Sequence, residues 1–223
     1  MLIKPWEGYF VEGLIEKKNG DFKIVEIDQN KSWSMTLNIL TDDDSLFYQL
    51  FSKDQLEEKS RVNFCKMTNF PDAILLEKKI CGDLIFHLIE FKKNPTNGDN
   101  IEKISKQLIS GYMHTKLILP FIEPSLIEDV EVLHKYYVVY AHGNNGTRPS
   151  IGFQKVVPGT QIKNTSNNIN RRRQLREWNN NRVVFRSLQP NSYTVFKKIS
   201  KIQVIECESL PDVTTSYENT IKI

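Results

Sequence analysis

The stretch "CGDLIFHLIEFKK", Cys81 to Lys93, decides how the chain is read. After a Cys-Gly-Asp turn, strand alternation sets Leu84, Phe86, Leu88, Glu90 and Lys92 on one face and Ile85, His87, Ile89 and Phe91 on the other. Both faces are mostly apolar, the pattern of a central strand covered by helices on both sides. A carboxylate and an ammonium closing such a strand on one face need a reason. They could be the solvated end of a strand or a cross-strand ion pair, but the apolar run before them argues for burial.

Working upstream, Asp72 stands just before the apolar run Ala73–Leu76. A hairpin turning at residues 79–83 would lay the start of that strand beside the end of the next, bringing Asp72 across from Glu90 and Lys92. Two carboxylates so placed repel unless a cation sits between them, and hard oxygen ligands favour Mg²⁺ or Mn²⁺. The lysine could orient a water and stabilise charge on a phosphate. Acidic-x-Lys by itself says little, because Glu16-x-Lys18, Asp21-x-Lys23, Glu57-x-Lys59 and Glu77-x-Lys79 also occur. Only Glu90-Phe91-Lys92 closes a long apolar strand, follows a Pro-Asp and precedes a helix with Gln. Asp83 is a rival carboxylate, but "CGD" suits a tight turn better.

Further out, residues 9–27 read as a hairpin around Asn19-Gly20, and a strand follows at 33–40. "DDDSLFYQLFSKDQLEEK" reads as a helix capped by Asp44 or Ser45, with Leu46, Phe47, Leu50, Phe51 and Leu56 on its apolar face. Downstream of Lys93, Asp99 or Asn100 caps a helix with Ile101, Ile104, Leu108 and Tyr112 at helical spacing. "VLHKYYVVYAHG" is a strand rich in β-branched and aromatic residues. "NTSNNINRRRQLREWNNNR" is polar and basic, between strand candidates at 150–157 and "RVVFRSL" with "YTVFKKISKIQVIE". The expected fold is α/β, a mixed central sheet flanked by helices. It divides into an N-terminal hairpin region (1–43), a core (44–142), a basic β-rich elaboration (143–210) and a loosely held tail (211–223).

Pro71-Asp72 followed by Glu90-Phe91-Lys92 resembles the PD-(D/E)xK nuclease superfamily, of restriction-endonuclease-like fold, over residues 44 to 142. The resemblance implies a metal-dependent nuclease, with DNA as substrate. Asp72 and Glu90 would bind Mg²⁺ or Mn²⁺ and Lys92 would help activate the water. Glu57 or Glu58 would supply a further metal carboxylate from a preceding helix. Gln107 would match the Gln of RecB-like members, with Tyr112 as its aromatic companion, one residue further on than the usual pattern. The family's settings are restriction, repair and defence, and many members act as homodimers or beside a partner subunit. The competing reading is a catalytically silent nucleic-acid-binding or assembly subunit on the same fold.

Arg171, Arg172, Arg173, Arg176 and Arg182, with Trp178, are the candidates for backbone-phosphate contact, which needs Arg or Lys and carries little sequence information. His87 faces away from Glu90 and reads as a satisfied core histidine. His114, His134 and His142 share no spacing, and Tyr136, Tyr137 and Tyr140 read as packing.

The composition agrees with a folded domain. The 223 residues are 39% hydrophobic and 10% aromatic, with a formal charge of +3. Cys65, Cys81 and Cys207 lack metal-ligand spacing and an even disulfide framework, so a reducing, cytoplasmic setting is expected. No signal peptide or membrane-spanning run is expected.

Overall fold

The computed structural model describes residues 15–28, 30, 32–50, 70–93, 95, 98–122, 132–141, 180, 182–184, 198–200, 202–210 and 213–223. In chain order they form β1 (Ile15–Lys18), β2 (Phe22–Ile27), β3 (Ser34–Leu40), β4 (Ser45–Leu50), β5 (Ala73–Lys79) and β6 (Leu84–Lys92). Then come the helix α1 (Gly98–Ile122), β7 (Leu133–Ala141), β8 (Arg182–Val184), β9 (Lys198–Ser200), β10 (Ile202–Leu210) and β11 (Val213–Lys222). This is a mixed α/β fold. Nine strands make one sheet in the order β1-β4-β5-β6-β7-β10-β11-β3-β2, while β8 and β9 form a separate antiparallel ribbon.

The β5–β6 hairpin turns at residues 80–83, where Gly82 takes a φ of 99° that suits glycine. β7 runs parallel to β6 on one side and to β10 on the other. A parallel partner requires a crossover, and α1 supplies it between β6 and β7.

The ends of the sheet reveal its shape. β1 and β2 are its two outermost strands, yet only Asn19, Gly20 and Asp21 separate them in sequence. Nine flat strands would hold their edges about 38 Å apart, whereas such a link reaches only about 14 Å. The sheet therefore rolls back on itself. Phe22 of β2 meets Phe47 of β4, their ring centroids 5.9 Å apart. β10 is shared by the two halves, with Ile202–Cys207 along β7 and Glu208, Ser209 and Leu210 along β11, where the register shifts between Ser209 and Leu210.

The roll makes two cores. Inside it, Ile24, Met35, Leu37 and Ile39 pack with Leu75, Ile89, Phe91, Val139 and Ile205. Outside it, Ile101, Ile104 and Leu108 of α1 cover Ile74, Leu76, Phe86, Leu88 and Val138. The alternation read from β6 holds, with Leu84, Phe86 and Leu88 under α1 and Ile89 and Phe91 inside the roll.

Four expectations are corrected. Ser45–Leu50 is strand β4 between β1 and β5, not the start of a helix. Phe47 and Leu50 are three apart, a spacing a short apolar run can also show when a strand is covered on both faces, and Asp42 to Ser45 form a turn (Ser45 N–H to Asp42 C=O, 3.2 Å). Helices do not flank β6 on both sides among the described residues: α1 covers one face and strands of the same sheet cover the other. β1 and β2 do not pair across Asn19-Gly20, since β1 joins β4 and β2 joins β3. Segment 211–223, expected to be loose, contains β11, which pairs with β3 over Ser216–Lys222.

Candidate functional site

At the C-terminal end of β6, Glu90 is wholly buried and Lys92 lies two residues on, on the face covered by α1. The lysine ammonium bonds Glu90 Oε1 and donates to the Phe91 carbonyl at 3.0 Å. Spacing alone does not make this pair unusual, because Lys18 and Glu16 make the same i, i+2 contact at 2.6 Å. Burial separates them: the Glu16 side chain is 65% exposed and that of Glu90 0%. A buried carboxylate costs free energy that its partners, the Lys92 ammonium among them, must offset.

Asp72 enters this end of β6 from the neighbouring strand. The last paired residues of β5 and β6 are Ala73 and Ile89, and one more step of that register sets Asp72 opposite Glu90. Its Oδ2 accepts the Phe91 backbone N–H at 2.7 Å, so the carboxylate continues the ladder where β5 begins. Asp72 and Glu90 are thus brought together with Lys92. Asp83 is exposed in the turn at the other end of β6.

Helix α1 fixes where β5 starts. Gln107 is buried, and its Nε2 donates to the Phe70 carbonyl at 2.9 Å. The His114 ring packs on Phe70 with centroids 4.2 Å apart, and burial lowers the His114 pKa below its ordinary value. Between them Gly111 permits a close approach: a Cβ there would lie 2.5 Å from Leu88 Cδ2 and 2.8 Å from Pro71 Cγ. Gln107 Oε1 is buried without a hydrogen-bond partner among the described residues. Tyr112 packs at the edge of the outer core beside His134, centroids 4.7 Å apart, away from the carboxylates.

Two more polar side chains continue the end of the sheet on this face. Tyr140 is paired with Lys92 in register, and Glu206 with Tyr140, so Lys92, Tyr140 and Glu206 form a row across β6, β7 and β10. No local signal marks this row, because β10 reaches β7 from more than sixty residues away.

The opposite face of the same strands holds a different group. His87 Nε2 meets Glu77 Oε2 at 2.9 Å, His87 Nδ1 meets the Tyr137 hydroxyl at 3.0 Å, and Ser45 donates to Glu77 Oε1 at 2.9 Å. His87 is satisfied, as expected. Burial holds its pKa below the ordinary value of 6.5, against the pull of Glu77. Burial also raises the Glu77 pKa, but hydrogen bonds from His87 and Ser45 prevail and leave it below the ordinary 4.5.

Glu57 and Glu58, and Arg171, Arg172, Arg173 and Arg176 with Trp178, lie outside the described residues, as does the strand candidate at 150–157. Arg182 opens β8, whose backbone lies close to α1. Among the described residues no three His, Cys, Asp or Glu side chains group to hold a metal, and no helix is long and apolar enough to cross a membrane. Comparisons with family models, curated proteins and solved structures give no match for the chain.

Proposed function

We propose that the chain is a metal-dependent nuclease of PD-(D/E)xK type that hydrolyses phosphodiester bonds in DNA. The observation that carries this reading is the β5–β6 register, which sets Asp72 opposite Glu90, with Lys92 on the same face at the end of a buried strand. The site lies at the C-terminal ends of the parallel strands β6 and β7, which are joined through α1.

The donor set suits a hard divalent cation: Asp72 and Glu90 supply carboxylate oxygens, and Glu57 or Glu58 is the proposed third donor. Mg²⁺ or Mn²⁺ held there would polarise a phosphate oxygen and neutralise its charge. Lys92 orients the attacking water and stabilises negative charge as it develops on the phosphate. Gln107 acts through structure, tying Phe70 to α1 and so setting the position of Asp72. Arg182 and the basic segment before it are the proposed backbone contacts, supported by the approach of β8 to α1, the helix that covers the site face.

The competing reading is the catalytically silent, nucleic-acid-binding or assembly subunit on the same fold. The two readings separate by experiment. Single- and double-stranded DNA and RNA are offered with Mg²⁺, Mn²⁺ or EDTA to wild type and Lys92→Ala, whose folding is checked by circular dichroism. Cutting that needs metal and disappears in the variant is expected. Metal-independent binding without cutting would support the silent subunit. Cutting that survives Lys92→Ala would remove the assigned site.

A further inference from the structure

The Lys92 ammonium is held by two acceptors, Glu90 Oε1 and the Phe91 carbonyl, the latter at 3.0 Å. Both belong to the two residues before it, so the side chain turns back along its own strand. Glu90 has no exposed side-chain surface, whereas the Lys92 side chain keeps 14% of its own. The ammonium is therefore the outer member of the pair, on a flexible four-carbon stem that can swing toward solvent. The carboxylates are the fixed members. Asp72 is tied to the Phe91 N–H at 2.7 Å, and Glu90 is enclosed at the end of β6.

We infer that Lys92 is a built-in counter-ion that holds Glu90 until a divalent cation replaces it, so that the site rests closed and metal enters by exchange. The inference rests on the nuclease reading above. One carboxylate oxygen cannot bond an ammonium and a divalent cation together without forcing two positive charges against each other. A buried Glu90 also needs a positive partner at all times, and Lys92 is that partner when no metal is bound. The same contact withholds Lys92 from substrate, because an ammonium turned back onto Glu90 is not offered to a phosphate. Once displaced, Lys92 keeps its charge and is drawn to the next anion at this end of the sheet. A phosphate that engages Lys92 therefore frees Glu90 for metal, and a metal on Glu90 frees Lys92 for phosphate. The coupling is reciprocal by linkage.

The test follows Mn²⁺ binding by loss of its free electron paramagnetic resonance signal, with no nucleic acid present. Wild type, Lys92→Met, Glu90→Gln and the neutral pair Glu90→Gln with Lys92→Met are compared, each with a thermal melt. Lys92→Met should bind Mn²⁺ about tenfold more tightly than wild type, and Mg²⁺ should raise its melting temperature by more. Both variants carrying Glu90→Gln should lose the binding. A folded Lys92→Met that binds Mn²⁺ no better than wild type overturns the inference and leaves the metal site standing. A second measurement needs no variant: brief acetylation of wild type, read by peptide mass spectrometry. Mg²⁺ should raise labelling of Lys92 several-fold relative to Lys79, which is exposed at the other end of β5. Labelling of Lys92 that Mg²⁺ leaves unchanged or lowers overturns the inference even if Lys92→Met does not fold. Binding that survives Glu90→Gln, or no binding by wild type and Lys92→Met alike, would sink the assigned metal site and this inference together.

Discussion

The two faces of β6 both bury charge, and they handle it differently. Inside the roll, Ser45, Glu77, His87 and Tyr137 form a chain in which both Glu77 oxygens and both His87 nitrogens have partners. Under α1, Glu90 and Asp72 converge at the strand's end, and the nearby Gln107 keeps a buried oxygen with no hydrogen-bond partner among the described residues. The first arrangement consumes its own polar groups and has the form of a structural network. The second gathers like charges at an end of the sheet where Lys92 and Tyr140 are only partly buried, and meets them with the Lys92 ammonium on Glu90 and the Phe91 N–H on Asp72.

If the faces differ in this way, substitutions on them should separate activity from stability. Lys92→Ala should have the largest effect, about a thousandfold loss of cleavage in a steady-state assay. It also leaves Glu90 buried without its ammonium, so urea denaturation should register destabilisation of about 3 kcal/mol. Glu77→Ala should do the reverse, costing about 2–3 kcal/mol by stripping His87 and Ser45 of their acceptor while cleavage per folded molecule is unchanged. Equal effects of Glu77→Ala on cleavage would erase the distinction between the faces.

Gly111→Val tests the support between them. The added atoms press on Leu88 and Pro71, and destabilisation of about 1–3 kcal/mol is expected. Since α1 then moves off Phe70, cleavage should fall more than in a surface variant of equal stability.

The smallest effect is in the pH dependence of stability. His87 is a base whose folded pKa lies below 6.5, so as pH falls through 6.5 the unfolded chain takes up a proton first and stability declines. Glu77 is an acid whose folded pKa lies below 4.5, so its contribution is present above 4.5 and is lost as pH falls further. Melting temperatures followed from pH 7 to pH 3 should decline in these two stages, and His87→Gln should flatten the first. An unchanged profile in that variant would remove His87 from the explanation.

Much of the α1 side of the site was legible because it is local. The β5–β6 hairpin is written in a run of apolar residues interrupted by Cys-Gly-Asp, and that turn alone aligns Asp72 with Glu90. Gln107 could be placed from the helix that follows. The Tyr140–Glu206 row was hidden, since it depends on β10 joining β7 after a long intervening segment. The roll was hidden for a related reason. Asn19-Gly20 signals a reversal, and nothing nearby says that Ile15 packs toward the outer core and Ile24 into the inner one. β4 was misread because Phe47 faces the roll while Tyr48 and Leu50 face the outer core, and burial on both sides erases the alternation that marks a strand.

The pairing of β3 with β11 has a consequence for how the chain is made. Ser34 waits for Ser216, so Met35, Leu37 and Ile39 have no strand on their β11 side until the far end of the chain has been synthesised. At about 5–20 residues per second, that wait is on the order of 10–40 s. During it, the β2–β3 hairpin has an open edge and only part of its core. The β5–β6 hairpin, whose strands emerge together, has no such interval.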